Sequence, residues 1–233
     1  MSRITRKELK TDKFALEVEH GISFFEHHKN EAIKYGAIGI VAIVLIFGYT
    51  YYYMPVQRAA RQDSLAAAIR VQEAGVGQSG NGGLAFPSQE AKDQEATRVF
   101  GDLHNKYSGS AEGEIAQYYL GSIKADQGKL ADAEKLFHEV AQKGDQKYAS
   151  LAQFSLAQIY FSDGRAVQGE KVLRDLIANP TIFVSSEQAT ISLARFLAPK
   201  KPAEARKLLE PLRSRVGNVG QAALTLLGEI PQQ

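Results

Sequence analysis

The chain has no cysteine and no tryptophan. The lack of thiols excludes disulfides, thiolate chemistry and zinc sites built on sulfur, and it suits cytosol and periplasm equally. An excess of one charge is also missing: 28 Lys/Arg stand against 26 Asp/Glu, a net charge of +2. With no sustained basic run in that balance, nucleic acid is not expected as a partner. From residue 88 onward there is no convincing strand alternation. Long hydrophobic runs are absent too, with one exception.

That exception is the uncharged stretch Tyr35 to Gln57, 23 residues between Lys34 and Arg58. As a helix rising ~1.5 Å per residue it reaches ~35 Å, slightly more than a ~30 Å hydrocarbon core. Tyr49, Tyr51, Tyr52 and Tyr53 at its far end suit a bilayer interface, and Tyr35 can play that part at the other. The 34 residues before it are too long for a signal-peptide n-region, and Met54-Pro55 offers no small-x-small cleavage pattern, so a retained span at 35–57 is expected. Seven Lys/Arg precede the span (Arg3, Arg6, Lys7, Lys10, Lys13, Lys29, Lys34), which favours a cytoplasmic N-terminus. Arg58, Arg61 and Arg70 follow it, but long domains translocate largely regardless of charge. The expected placement is a bacterial inner membrane, with the N-terminus cytoplasmic and the larger domain periplasmic.

Residues 1–34 are expected to form an amphipathic cytoplasmic tail, with Phe14, Val18, Ile22 and Phe25 on one helical stripe. That stripe suits either a helix lying on the membrane surface or a short juxtamembrane helix running into the span. Residues 58–74 read as a helix leaving the membrane, with Leu65, Ala68, Ile69 and Gln72 on one side. Residues 75–87, GVGQSGNGGLAFP, read as a flexible glycine-rich linker, since no strand precedes the glycines and no Gly-Lys-Ser/Thr follows them.

Residues 88–233 read as helix, turn, helix throughout. The turns fall at Ser108-Gly109, Gly128, Gly144-Asp145, Asp163-Gly164, Asn179-Pro180, Pro199 with Pro202, and Gly217. The helix pairs are self-similar at about 36 residues. One unit carries Leu120-Gly121, Gly128 and Ala133-x-x-x-Phe137. The next carries Leu156-Ala157, Tyr160, Gly164 and Gly169-x-x-x-Leu173. A third carries Leu193-Ala194, a proline-bounded turn and Ala205-x-x-x-Leu209. Upstream, Ala96-x-x-x-Phe100 reads as the second helix of an earlier unit; downstream, Leu227-Gly228 reads as the start of a capping helix. Small residues where two helices cross, larger apolar ones between neighbours and glycine ending the first helix make up the tetratricopeptide pattern. A single pair cannot bury its own apolar face, so stacking supplies the core. The pattern's usual tryptophan is absent, Gly169 stands where alanine is usual, and the third turn is compressed. The expected fold class is therefore all-α, one N-terminal transmembrane helix followed by a tetratricopeptide-like solenoid.

A short tail, one uncleaved span, an exit helix and the units Ala96-Thr-Arg-Val-Phe100, Tyr119-Leu120-Gly121 and Gly128-Lys-Leu-Ala-Asp-Ala133 resemble a family of bacterial single-span tetratricopeptide proteins. These are the ancillary subunits of the SecYEG translocon, grouped with the cell-division coordinator. The resemblance covers roughly residues 30–230 in layout, and its motifs are shared by many repeat families. It implies an inner-membrane protein whose periplasmic repeats bind the translocon, periplasmic chaperones or other envelope complexes. The long tail is a departure from that family.

No residues support catalysis, and neither cofactor nor metal is expected. His20, His27, His28, His104 and His138 form no convergent ligand set, and Glu26 and Glu31 beside His27 and His28 lack a supporting shell. Asp126, Asp132, Glu134 and Glu139 read as ordinary helix-surface charges. The remaining candidate is a peptide groove lined by the first helix of each unit: Tyr118, Ser122 and Ala125, then Phe154, Gln158 and Phe161, then Ile191 and Arg195. Tyr118, Phe154 and Ile191 can equally finish the core. Two functional readings stand, an interaction scaffold and an assembly subunit that oligomerises through its tail and span, where Gly36, Gly39 and Ala42 put small residues on one face.

Overall fold

The computed structural model describes residues 29–77 and 83–230, and the chain divides into two compact units after Ala60. The tail stripe Phe14, Val18, Ile22 and Phe25, and His20, His27 and His28, lie outside the described residues. Helix α1, Lys29–Gly48, carries the apolar run. Its side chains are open to the surroundings: Ile40, Ile43 and Leu45 are 64%, 66% and 68% exposed. By length and composition this helix can cross a membrane. A single wide turn follows at Tyr49–Tyr53, in which the Met54 N–H donates to Tyr49 O, five residues back. Pro55 accounts for the widening, because its ring crowds the preceding turn and it has no N–H to give. Thr50 Oγ1 donates back to Ile46 O at 2.8 Å, and the rings of Phe47 with Tyr51 and of Tyr49 with Tyr53 stack along the same turns.

Helix α2 runs Met54–Glu73, and from Arg61 on it belongs to the second unit. There follow β1 Gly75–Val76, β2 Ala85–Phe86, α3 Gln89–Lys106, α4 Ala111–Asp126, α5 Leu130–Lys143, α6 Gln146–Ser162, α7 Ala166–Ala178, α8 Ser186–Leu197, α9 Pro202–Leu209 and α10 Asn218–Glu229. The fold of the described residues is all-α apart from that two-residue parallel β pair. The pair joins the ends of the segment expected as a plain linker: the Gly75 N–H donates to Leu84 O and the Gly77 N–H to Phe86 O.

Each turn read from the sequence separates two of these helices or precedes the last. Gly128 and Gly164, 36 residues apart, have φ of +74° and +79°, a left-handed exit that a side chain would strain. Serine or aspartate caps begin α3, α4, α6 and α8 (Ser88, Ser110, Asp145, Ser185), each accepting from a backbone N–H of the first turn. Helices α5, α7 and α9 begin without side-chain caps, at Lys129, Arg165 and Lys201.

The core is a chain of three clusters, as stacked pairs require. Ala68 and Val71 of α2 pack with Ala96, Phe100 and Leu103 of α3 and Ala116 and Ile123 of α4; Leu120 is half-buried against them. Ala133, Phe137 and Val140 of α5 meet Ala152, Leu156 and Tyr160 of α6. Ala157, Leu173, Leu193, Ala194, Ala205, Leu209 and Ala223 carry the core onward to α10. Two sequence readings change here. The helix read as a separate exit segment packs the side chains of its last turns into the first cluster, so the compact unit starts at Arg61 rather than 88. In α10 the buried crossing residues are Ala223 and Leu226, whereas Gly228 faces open space.

The glycines at two crossings have identifiable partners. A Cβ on Gly121 would lie 2.8 Å from the Phe137 ring, so glycine lets that ring close on α4. At Gly169, where the repeat pattern has alanine, a Cβ would meet the Phe161 ring at 2.7 Å and Ala157 O at 3.0 Å. Phe161 in turn stacks on Phe196, centroids 3.9 Å apart and nearly parallel. The departure from pattern is thus filled by a ring from the preceding helix.

Neighbouring second helices are also linked by charge. Glu134 of α5 receives two hydrogen bonds from Arg165, at 2.8 and 2.7 Å, and Glu170 of α7 receives one from Lys201 at 3.3 Å. Both partners lie 31 residues on, at the start of the next second helix. Arg174 adds a bridge between Glu170 and Glu204. The Arg165 guanidinium also lies 4.6 Å over the Tyr160 ring, whose hydroxyl is 2.8 Å from His138 Nε2. Glu134 and Glu139 are therefore more than surface charges, since Glu139 of α5 accepts from the buried Gln117 Nε2 of α4 at 2.7 Å.

The Arg165 hydrogen bonds hold the Glu134 carboxyl below the usual carboxylate range. A carboxylate depressed in the folded state stabilises it above the unfolded pKa, and that contribution is lost as pH falls through the folded pKa. Glu134→Gln is expected to lower the melting temperature by roughly 1–4 °C at pH 7 and by less at pH 3.5. Paired thermal melts at the two pH values check this; an equal drop at both would remove the ion pair as its cause.

Candidate functional site

The first helices α4, α6, α8 and α10 succeed one another along the stack. Their spacing is set by polar links as well as by the core. Ser150, buried at the start of α6, gives its only hydroxyl proton to Lys147 O, so it accepts from Thr181 Oγ1 at 2.7 Å in the loop before α8. Thr181 Oγ1 also accepts from the Val184 N–H.

Between α6, α8 and α10 opens a cleft of about 530 Å³. Phe154 and Gln158 line it from α6, Ile191, Ser192, Arg195 and Phe196 from α8, and Val219 with Asn218 from α10. Four of the eight groove residues read from the sequence, Phe154, Gln158, Ile191 and Arg195, thus share one recess. Gln158 and Arg195 are exposed, and Phe154 and Ile191 are half-buried against the core. Phe161 is instead engaged by Phe196 and Gly169. Ser122 is half-buried on α4 and does not line this cleft.

Tyr118 belongs to an aromatic chain running Phe100, Tyr119, Tyr118, Tyr148, Phe183 across three pairs, with consecutive centroids 4.7 to 5.8 Å apart. Burial, with Tyr119 and Tyr118 alongside, pushes the Tyr148 phenol up to about 12. The Tyr148 hydroxyl therefore stays neutral at physiological pH, and the tyrosines of this aromatic chain serve as packing groups with polar tips. The contribution of α10, through Asn218 and Val219, was not read from the sequence, where only Leu227-Gly228 marked that helix. Among the described residues no three His, Cys, Asp or Glu side chains converge to hold a metal. His104 Nδ1 donates to Gly113 O at 3.1 Å, a packing role.

Helix pairs stacked at a 36-residue period, with glycine or alanine at the crossings and an open recess across the first helices, define a helical-repeat protein that binds other proteins. The profile of the tetratricopeptide repeat-like domain matches residues 24–206, and the chain belongs to that family. Among solved structures it is similar to the nearly identical TPR-like repeats described for a Podosopora anserina kinesin light chain, with a TM-score of 0.53 and 17% identity over 72% of this chain and 84% of that one. At that identity the likeness concerns the fold alone. No curated protein matches the chain.

Proposed function

We propose that this chain is a membrane-anchored interaction scaffold. Residues 35–57 span a bacterial inner membrane, the N-terminal tail faces the cytoplasm and the repeats face the periplasm, where they recruit chaperones or translocon machinery through the recess between α6, α8 and α10. The observation that carries this reading is the joining, in one chain, of an outward-facing apolar helix to tetratricopeptide-like repeats with an unfilled recess. The large apolar and aromatic side chains from Tyr35 to Val56 are each over half exposed, which is costly in water and suits lipid. Confinement to a surface raises the effective concentration of the repeats beside membrane machinery. The choice of translocon or chaperone rests on the resemblance in layout and repeat motifs.

A photo-crosslinking residue in place of the exposed Gln158 is expected to capture translocon subunits or periplasmic chaperones. Phe154→Ala, which removes an apolar wall of the cleft, is expected to cut the yield about tenfold, a typical effect of losing an aromatic anchor. Circular dichroism keeps folding separate from binding. A folded Phe154→Ala protein with undiminished capture would discard the groove. A reporter fused after Gln233 that is active only in the cytoplasm would discard the orientation.

A further inference from the structure

The cleft has an unusual charge arrangement. From Arg61 onward the chain has nine arginines, and seven of them pair with a carboxylate or a backbone carbonyl. Arg70 and Arg195 have no ion pair or hydrogen bond among the described residues, and of these two Arg195 lines the cleft. No aspartate or glutamate lines the cleft, so its single full charge is the exposed guanidinium. Beside it lie apolar walls from Phe154, Ile191 and Val219 and the amides of Gln158 and Asn218. A second recess of about 350 Å³ between α8 and α10 begins at the same arginine and reaches Glu229. The groove therefore continues past Arg195 rather than closing on it.

We infer that the cleft receives an internal peptide segment in which an apolar side chain is closely followed by an aspartate or glutamate, the apolar group seating on Phe154 and Ile191 and the carboxylate on Arg195. This rests on the groove reading above and adds the chemistry of its occupant. A guanidinium is the cation best shaped for a carboxylate, which it can hold with two parallel N–H···O bonds. The amides donate to the peptide backbone or orient it. A chain terminus is a poorer match, because the groove runs on beyond the arginine and Glu229 would oppose a second negative charge there.

The test uses the full-length chain in detergent micelles and an array of ten-residue peptides. Each peptide carries one Leu or Phe anchor, with Glu, Gln or Lys at each of the four following positions, and is made both as C-terminal amide and as free acid. The expected result is that the best Glu peptides bind about five- to tenfold more tightly than their Gln counterparts, as amides and free acids alike, the size of one partly solvated charge-assisted contact. Arg195→Gln is expected to erase that preference, and Arg195→Glu to transfer it to the Lys peptides. Glu and Gln peptides bound equally, a preference that survives Arg195→Gln, or binding confined to free acids would overturn this inference and leave the groove reading standing. Binding of no peptide of any composition would overturn both.

Discussion

Replacing Leu173 with alanine is expected to lower the unfolding free energy by about 2–5 kcal/mol, the range for a buried leucine that leaves a cavity. Leu173 is fully buried in the cluster that joins α6 through α10, and so stands between two units rather than inside one. For a domain of this size the loss corresponds to a melting temperature lower by about 5–15 °C. Because each pair is stabilised by its neighbours, the change should also broaden the transition, as the stack from α8 onward uncouples from the rest. Calorimetry reads both effects. A shift under 2 °C with an unchanged width would mean that the units do not depend on one another at this junction.

The second large effect concerns α1. Ile40→Lys together with Val44→Lys puts two charges near the middle of the apolar helix. On the insertion scale each costs about 2.5–3.5 kcal/mol at a helix centre, enough together to reverse a favourable partition. The double variant is expected to leave the membrane fraction almost entirely, while the repeats, whose core residues it does not touch, keep their melting temperature. Membrane fractionation and a thermal melt of the same preparation check the two halves. Retention of the variant in membranes would mean that something other than this helix holds the chain there.

Much of this architecture could be read from residue spacing, because the features that set it are local. Gly128 and Gly164 end their helices through a backbone conformation that other residues resist, and prolines mark the turns around Pro199 and Pro202. Features that depend on distant partners were harder to read. Gly169 departs from the repeat's alanine because the Phe161 ring, backed by Phe196, occupies the space an alanine methyl would need. The packing of α2 into the first cluster was hidden by the glycine-rich insertion at 75–87, which separates Ala68 from Ala96 in the sequence. The carboxylates of Glu134 and Glu170 carried a usable signal, a basic residue 31 positions on in both units. That spacing has meaning only once the stacking of the second helices is known. In the groove, the period grouped Phe154, Gln158, Ile191 and Arg195, which line one cleft. It could not distinguish Tyr118 and Phe161, whose rings turn to aromatic neighbours.

A carbonate wash of vesicles bearing the full-length chain, followed by flotation, tests the anchored-scaffold reading most directly. Alkaline wash strips proteins held by charge or by other proteins and leaves those held by an inserted helix. The intact chain is expected to float with the lipid after the wash. Its recovery in the wash, intact and lipid-free, would contradict a spanning helix at 35–57 and with it the tethering of the repeats.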